Sequence, residues 1–227
     1  MLNERPSAVD EFGMLPAPDE QRLWTRVAVV FEGSLAVIAG LIGWWLGRSP
    51  LVGITWSWAA GPDQAAAALA GAAAALPMLL GLALVERYPL GPLQELKDFM
   101  DRCVVPLFRQ TSVWQLALIA SVAGLGEELL FRGLLQHALT EQIGAPYGVW
   151  VGLLAASAVF GVCHWLTHTY AVLAGLIGVY LGALLLLTGN VLAPIVAHGL
   201  YDFVALVYLV RNADQPLERD VGRDRVR

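Results

Sequence analysis

The chain has 227 residues; 57% are hydrophobic before its 23 glycines are counted, 15% are charged, and the mean hydropathy is +0.62. A soluble domain runs at about 45–50% apolar with glycine included and about 25% charged, so these values exclude an ordinary soluble globule and a disordered chain. The net charge of −5 comes without a basic patch, which excludes nucleic acid as a natural partner, and the two cysteines, Cys103 and Cys163, are too few for a disulfide framework and lack metal-site spacing.

Residues 1–23 are polar and acidic, with Pro6, Pro16 and Pro18, and read as a flexible cytoplasmic tail. They lack the basic start of a cleaved signal peptide, and the apolar run that follows is too long for one. A spanning helix needs about 20 apolar residues. Six runs qualify: Trp24–Leu46, Ala65–Val85, Val113–Leu139, Val149–Leu166, Tyr170–Leu187 and Val191–Val210. They are continuous rather than alternating, so helices are expected and barrel strands are not. Helices also satisfy their own backbone in hydrocarbon.

Asp63 and Gln64 mark the start of the second span. Leu93–Phe108, behind Pro89 and Pro92, mixes polar and apolar residues and reads as a helix lying on the cytoplasmic interface. Gly148-x-x-x-Gly152 and Gly178-x-x-x-Gly182 offer close helix approach. No internal repeat is evident. The expected fold is all-α and polytopic: two N-terminal spans and the interfacial helix over 24–111, a four-helix core over 112–211, and a cytoplasmic tail over 212–227.

The basic residues fix an orientation. Arg5, Arg22, Arg26, Arg87, Lys97, Arg102, Arg109, Arg211, Arg219, Arg223, Arg225 and Arg227 fall on one side; Arg48 alone falls on the other. By the positive-inside rule both termini are cytoplasmic. Trp24, Trp44, Trp45, Trp114, Trp150 and Trp165 lie near span ends, as an aromatic belt requires. The dominance of Arg over Lys, with abundant Ala and Gly, suits a bacterial inner-membrane protein.

Between Thr111 and Val210 only Glu127, Glu128, Arg132, Glu141 and Asp202 carry charge, and Glu141 is expected in an outer loop. A charge inside a span is expensive unless paired or used. Glu128 and Arg132 are four apart and share a helix face, so they can pair. Glu127 is turned about 100° away and is left to face a cavity. His198 and Asp202 are also four apart on the sixth span. His164 follows Phe160 by one turn on the fourth. Counted along their helices, Glu127, His164, His198 and Asp202 reach the middle to cytoplasmic half of the bilayer together. A carboxylate beside two imidazoles is equipped to activate a water and to stabilise an oxyanion. Cys163 is expected to be a packing residue. Glu32 in the first span either packs against the bundle or lines a groove; His137 and His168, at a span end and in a loop, are expected to be solvated or interfacial.

The set E-E-x-x-x-R (Glu127, Glu128, Arg132), F-x-x-x-H (Phe160, His164) and H-x-x-x-D (His198, Asp202) resembles the CPBP family, the CAAX-type or Abi intramembrane endopeptidases. The resemblance covers about Val113–Val210, and Gly124-Leu125-Gly126 before the glutamates and Phe131-Arg132-Gly133 after them strengthen it. It implies a helical membrane protease acting on a membrane-associated protein or peptide. Glu127 would be the general base, His164 would help to position the water, and His198 with Asp202 would stabilise the oxyanion. Glu128 and Arg132 would be the scaffold pair, with Phe160 in support. The family often has Asn where this chain has Asp202; an aspartate donates to an oxyanion only when protonated, so it is either kept neutral or orients His198. No cofactor is expected. A zinc site on the same residues is the alternative, disfavoured because no H-E-x-x-H occurs. An ion-coupled transporter and a non-catalytic immunity or scaffold protein are the competing readings of the buried charges.

Overall fold

The computed structural model describes residues 18–212, all helical in their regular elements. The helices are α1 (Pro18–Trp45), α2 (Gly61–Arg87), α3 (Pro92–Phe99), α4 (Val105–Phe108), α5 (Val113–Glu128), α6 (His137–Ile143), α7 (Gly148–Cys163), α8 (His168–Thr188) and α9 (Leu192–Asn212). Two π-helical segments join neighbours, Met100–Val104 between α3 and α4 and Leu129–Gln136 between α5 and α6.

All six expected spans are helices, with four corrections. The run over Asp19–Trp45 begins well before Trp24, so residues 18–23 belong to α1 rather than to a tail; residues 1–17 and 213–227 lie outside the described part. The third span is not one plain α-helix: π hydrogen bonding interrupts it just after Glu128. It also runs on through α6, so Glu141 sits in a helix rather than a loop, until Gly144 at φ 70° ends it. The fourth stops at Cys163, 16 residues long, because the chain turns at His164. By length and apolar composition four helical runs are long enough to cross a membrane: Asp19–Trp45, Trp58–Arg87, His168–Thr188 and Leu192–Asn212. Their outward side chains, among them Val30, Leu69, Leu80 and Leu176, stay exposed, as a lipid-facing surface requires.

Local chemistry sets the helix starts. Ser112 Oγ accepts from the Gln115 amide while Gln115 Oε1 accepts from the Ser112 amide, a capping box that opens α5. Thr167 Oγ1 caps α8, and Asn190 Oδ1 accepts from the Leu192 amide at 2.9 Å to start α9. The stretch expected on the interface is helical over α3 and α4, and Lys97 ties it to the end of α2 through Glu86 at 2.7 Å and to Asp101 at 3.4 Å.

The packing centres on α5 and α9. α9 lies against α2 and α5, α1 lies along α5, and α7 pairs with α8 and with α6. Small residues allow this closeness. A Cβ at Gly148 would stand 2.3 Å from the Thr140 carbonyl oxygen, and one at Gly152 would stand 2.6 Å from that of Gln136, so the first glycine pair does seat α7 on α6 and the π segment. The apolar core includes Leu116, Leu181, Val191 and Ala197, all nearly inaccessible.

Candidate active site

The site is built from the end of α5, the end of α7 and the middle of α9, with α1 and α8 closing its sides. Glu127 and Glu128 occupy the last turn of α5 and are both buried. Arg132 follows in the π segment and donates from Nη1 to Glu128 Oε1 at 2.8 Å. Both partners are at most 1% exposed, so the pair expected from spacing forms in a dry interior. The Arg132 guanidinium also stacks over the Phe160 ring, 4.3 Å from its centroid.

Phe160 is the floor that joins the motifs. Its ring meets Phe131 edge-on at 5.1 Å, His164 at 4.3 Å and His198 at 6.1 Å. That explains why an aromatic side chain one turn before His164 belongs to the set.

The two imidazoles are held in the same way from opposite sides. His164 lies at the cap of α7, just beyond the helix rather than inside it, and its Nδ1–H donates to the Phe160 carbonyl oxygen at 2.8 Å. His198 Nδ1–H donates to Glu128 Oε1 at 2.8 Å. Glu128 therefore serves two partners across two helices, a link that spacing alone did not reveal. With each Nδ1 engaged, each Nε2 points into the site. His164 Nε2 lies 3.6 Å from Glu127 Oε1, and His198 Nε2 lies 3.8 Å from Glu127 Oε2 and 3.3 Å from Asp202 Oδ2. The distances to Glu127 are too long for direct hydrogen bonds and suit a bridging water or a substrate atom. Glu127 Oε2 is buried with no partner of its own.

All seven candidate residues thus meet in one place: Glu127, Glu128, Arg132, Phe160, His164, His198 and Asp202. Among the described residues no group of three or more His, Cys, Asp and Glu is arranged to hold a metal ion. Two further residues border the site. Tyr170, in the first turn of α8, sets its ring edge-on to His164 at 5.9 Å and lies near Asp202, Glu127 and Glu32. Glu32 of α1 reaches Glu127. Sequence spacing within the motif segments could not find Tyr170; the charge of Glu32 in an apolar run was a signal that left its place open. Cys163, one residue from His164, is a free and exposed thiol. His137 is at a helix start and pairs with Glu141 at 3.2 Å; Glu141 also pairs with Arg48. His168 is exposed and opens α8 rather than lying in a loop, with its ring against Trp165 at 5.1 Å.

Residues 109–204 match the protein-family model described as Type II CAAX prenyl endopeptidase Rce1-like. The matched span begins before α5 and ends two residues after Asp202, so it holds all seven motif residues and leaves Glu32 outside. Comparison with the curated proteins and with solved structures gave no match. With its apolar helices the protein is an integral membrane protein, and over residues 109–204 it is similar to the Rce1-like Type II CAAX prenyl endopeptidases.

Proposed function

We propose that this protein is an intramembrane endopeptidase that hydrolyses a peptide bond of a membrane-associated protein or peptide with a water activated by Glu127. The observation that supports this most directly is the convergence of Glu127 with two imidazole Nε2 atoms, at 3.6 and 3.8 Å. In this reading the water donates one hydrogen to Glu127 and the other to His164 Nε2, whose Nδ1–H is fixed on the Phe160 carbonyl. The water's lone pair is then free for the scissile carbonyl. Its oxygen bonds to the carbonyl carbon, its proton passes to Glu127, and the carbonyl oxygen becomes an oxyanion.

His198 stands where that oxyanion would be met. With Glu128 behind Nδ1 and Asp202 beside Nε2, the ring holds a proton on each nitrogen, and Nε2–H is the donor. Asp202 then orients His198 rather than donating itself. When the carbon–nitrogen bond breaks, the proton on Glu127 goes to the leaving amine. Glu128, Arg132 and Phe160 hold the frame and touch no reacting atom. Residues 112–211 form the catalytic core, in a bacterial inner membrane with both termini cytoplasmic.

The test is a comparison of membrane-protein termini in cells carrying wild type and Glu127→Ala. New termini present with wild type and missing with the variant are the expected result. Identical sets would overturn the assignment. Cleavage that survives strong chelators is also expected; loss restored by zinc would replace the water-on-glutamate reading with a metal one.

A further inference from the structure

Glu32 is the one acidic side chain in the apolar part of α1, and the way α1 packs explains where it ends up. Gly126 lacks a side chain, so the backbone of α1 lies directly on it: a Cβ there would stand 2.2 Å from the Glu32 carbonyl oxygen. Glu127 is the next residue. The start of α1 is tied down as well, since Gln21 Oε1 accepts from the Gln110 amide at 2.7 Å and Thr25 Oγ1 meets Thr111 Oγ1 at 3.3 Å. Held this way, the Glu32 carboxyl comes within hydrogen-bonding reach of the Glu127 carboxyl.

One proton between the two carboxyls satisfies the hydrogen-bond accounting. Glu32 Oε2 and Glu127 Oε2 are both buried and both lack a donor. Two carboxylate oxygens facing each other are acceptors only and repel; one shared proton turns the same contact into a short, strong bond. The charge balance agrees. Arg132 and Glu128 cancel, which leaves Glu32, Glu127 and Asp202 with the imidazoles of His164 and His198. The Tyr170 side chain also lies near Glu32. Bare carboxylates at this depth would be prohibitively costly.

We infer that Glu32 and Glu127 form a proton-sharing carboxyl pair, in which α1 supplies a proton-holding residue to the machinery of the Rce1-like domain. The inference rests on Glu127 being the base. At rest the pair holds one proton and one negative charge. As the water oxygen bonds to the carbonyl carbon, its proton enters the pair, which becomes neutral. As the carbon–nitrogen bond breaks, one proton leaves for the amine nitrogen and the resting pair returns. The sum is peptide plus water giving acid plus amine, with no further reactant. Glu32 is a positioning residue, since it touches Glu127 and not the reacting atoms.

The experiment uses the full chain in proteoliposomes, as wild type, Glu32→Gln, Glu32→Ala and Glu127→Gln. Infrared spectroscopy reads the carbonyl band of a protonated carboxyl. Cleavage is followed against pH with a quenched-fluorescent peptide carrying an S-farnesyl cysteine. The expected result is a band in wild type whose position shifts in both glutamine variants, because the shared hydrogen bond is gone. The acidic limb of the pH profile should move in Glu32→Gln, whose amide still donates to Glu127. Glu32→Ala should lose about 100-fold in rate. A wild type without the band, a band that either glutamine variant leaves in place, or an unmoved profile in Glu32→Gln would overturn the pair. If Glu127→Gln cleaves like wild type, the base assignment fails, while the infrared band still reports on the pair. Glu32→Gln keeps size and shape, so a folding defect in Glu32→Ala leaves the test intact.

Discussion

Glu127 and Glu128 are neighbours on one helix, and their surroundings differ in kind. The Glu128 carboxyl is inaccessible and takes hydrogen bonds from Arg132 and His198, each at 2.8 Å. Glu127, about as deep, has no nitrogen nearer than 3.6 Å and faces another carboxyl from α1. One residue of rotation separates a side locked by two partners on Oε1, with Oε2 buried and unpaired, from a side whose bonding capacity is wholly held in reserve. A protein gains nothing in stability from that reserve. The locked side sets the positions of His198 and Phe160, and the open side is where the proposed reaction places its water and peptide carbonyl.

The largest effect should come from breaking the locked side. Arg132→Ala leaves the Glu128 carboxylate buried without its cation and removes the guanidinium from the Phe160 ring, at a cost of about 3–5 kcal/mol. Thermal unfolding in detergent should drop sharply. Arg132→Lys should recover only part of it, because an ammonium lacks the planar stacking surface. An Arg132→Ala protein as stable as wild type would show that the two sides are not different in the way described.

On the open side the expected damage is to rate and not to stability. Glu127→Gln keeps the shape and should lower cleavage by about 10²–10⁴-fold with an unfolding midpoint near that of wild type. If this variant instead unfolded as Arg132→Ala does, Glu127 would belong to the frame. Gly126→Ala probes the seam between the sides. Its methyl group would meet the α1 backbone at 2.2 Å, so about 1–3 kcal/mol of overpacking is expected. Cleavage should fall as well, because α1 can yield only by carrying Glu32 away from Glu127.

Much of this contrast was legible in the chain. Helix period alone placed Arg132 under Glu128, turned Glu127 away from both and aligned Asp202 with His198. Continuous apolar runs located the helices. What stayed hidden depends on contacts between helices, which period does not encode. Glu128 serving His198, Tyr170 beside His164 and Glu32 beside Glu127 all arise from how α1, α5, α8 and α9 cross. The π segment after Glu128 was invisible because its residues, Leu129–Gln136, have ordinary helical composition. His164 was placed inside a span because hydropathy continues through Trp165 and Leu166, whereas the backbone has already turned.

The smallest effect should come from an ion pair far from this division. Arg48, in the loop after α1, pairs with Glu141 of α6, and their side chains are 26% and 50% exposed. Water screens such a pair, and holding two long side chains costs entropy, so Arg48→Ala should change stability by about 0–1 kcal/mol. The change should shrink further in high salt. Comparing the salt dependence of Arg48→Ala with that of Arg132→Ala separates the two kinds of pair by measurement: the first should fade as salt rises and the second should not. Both are arginine–glutamate contacts, so equal salt sensitivity would mean that water reaches Glu128 and that the dry side of the site is not dry.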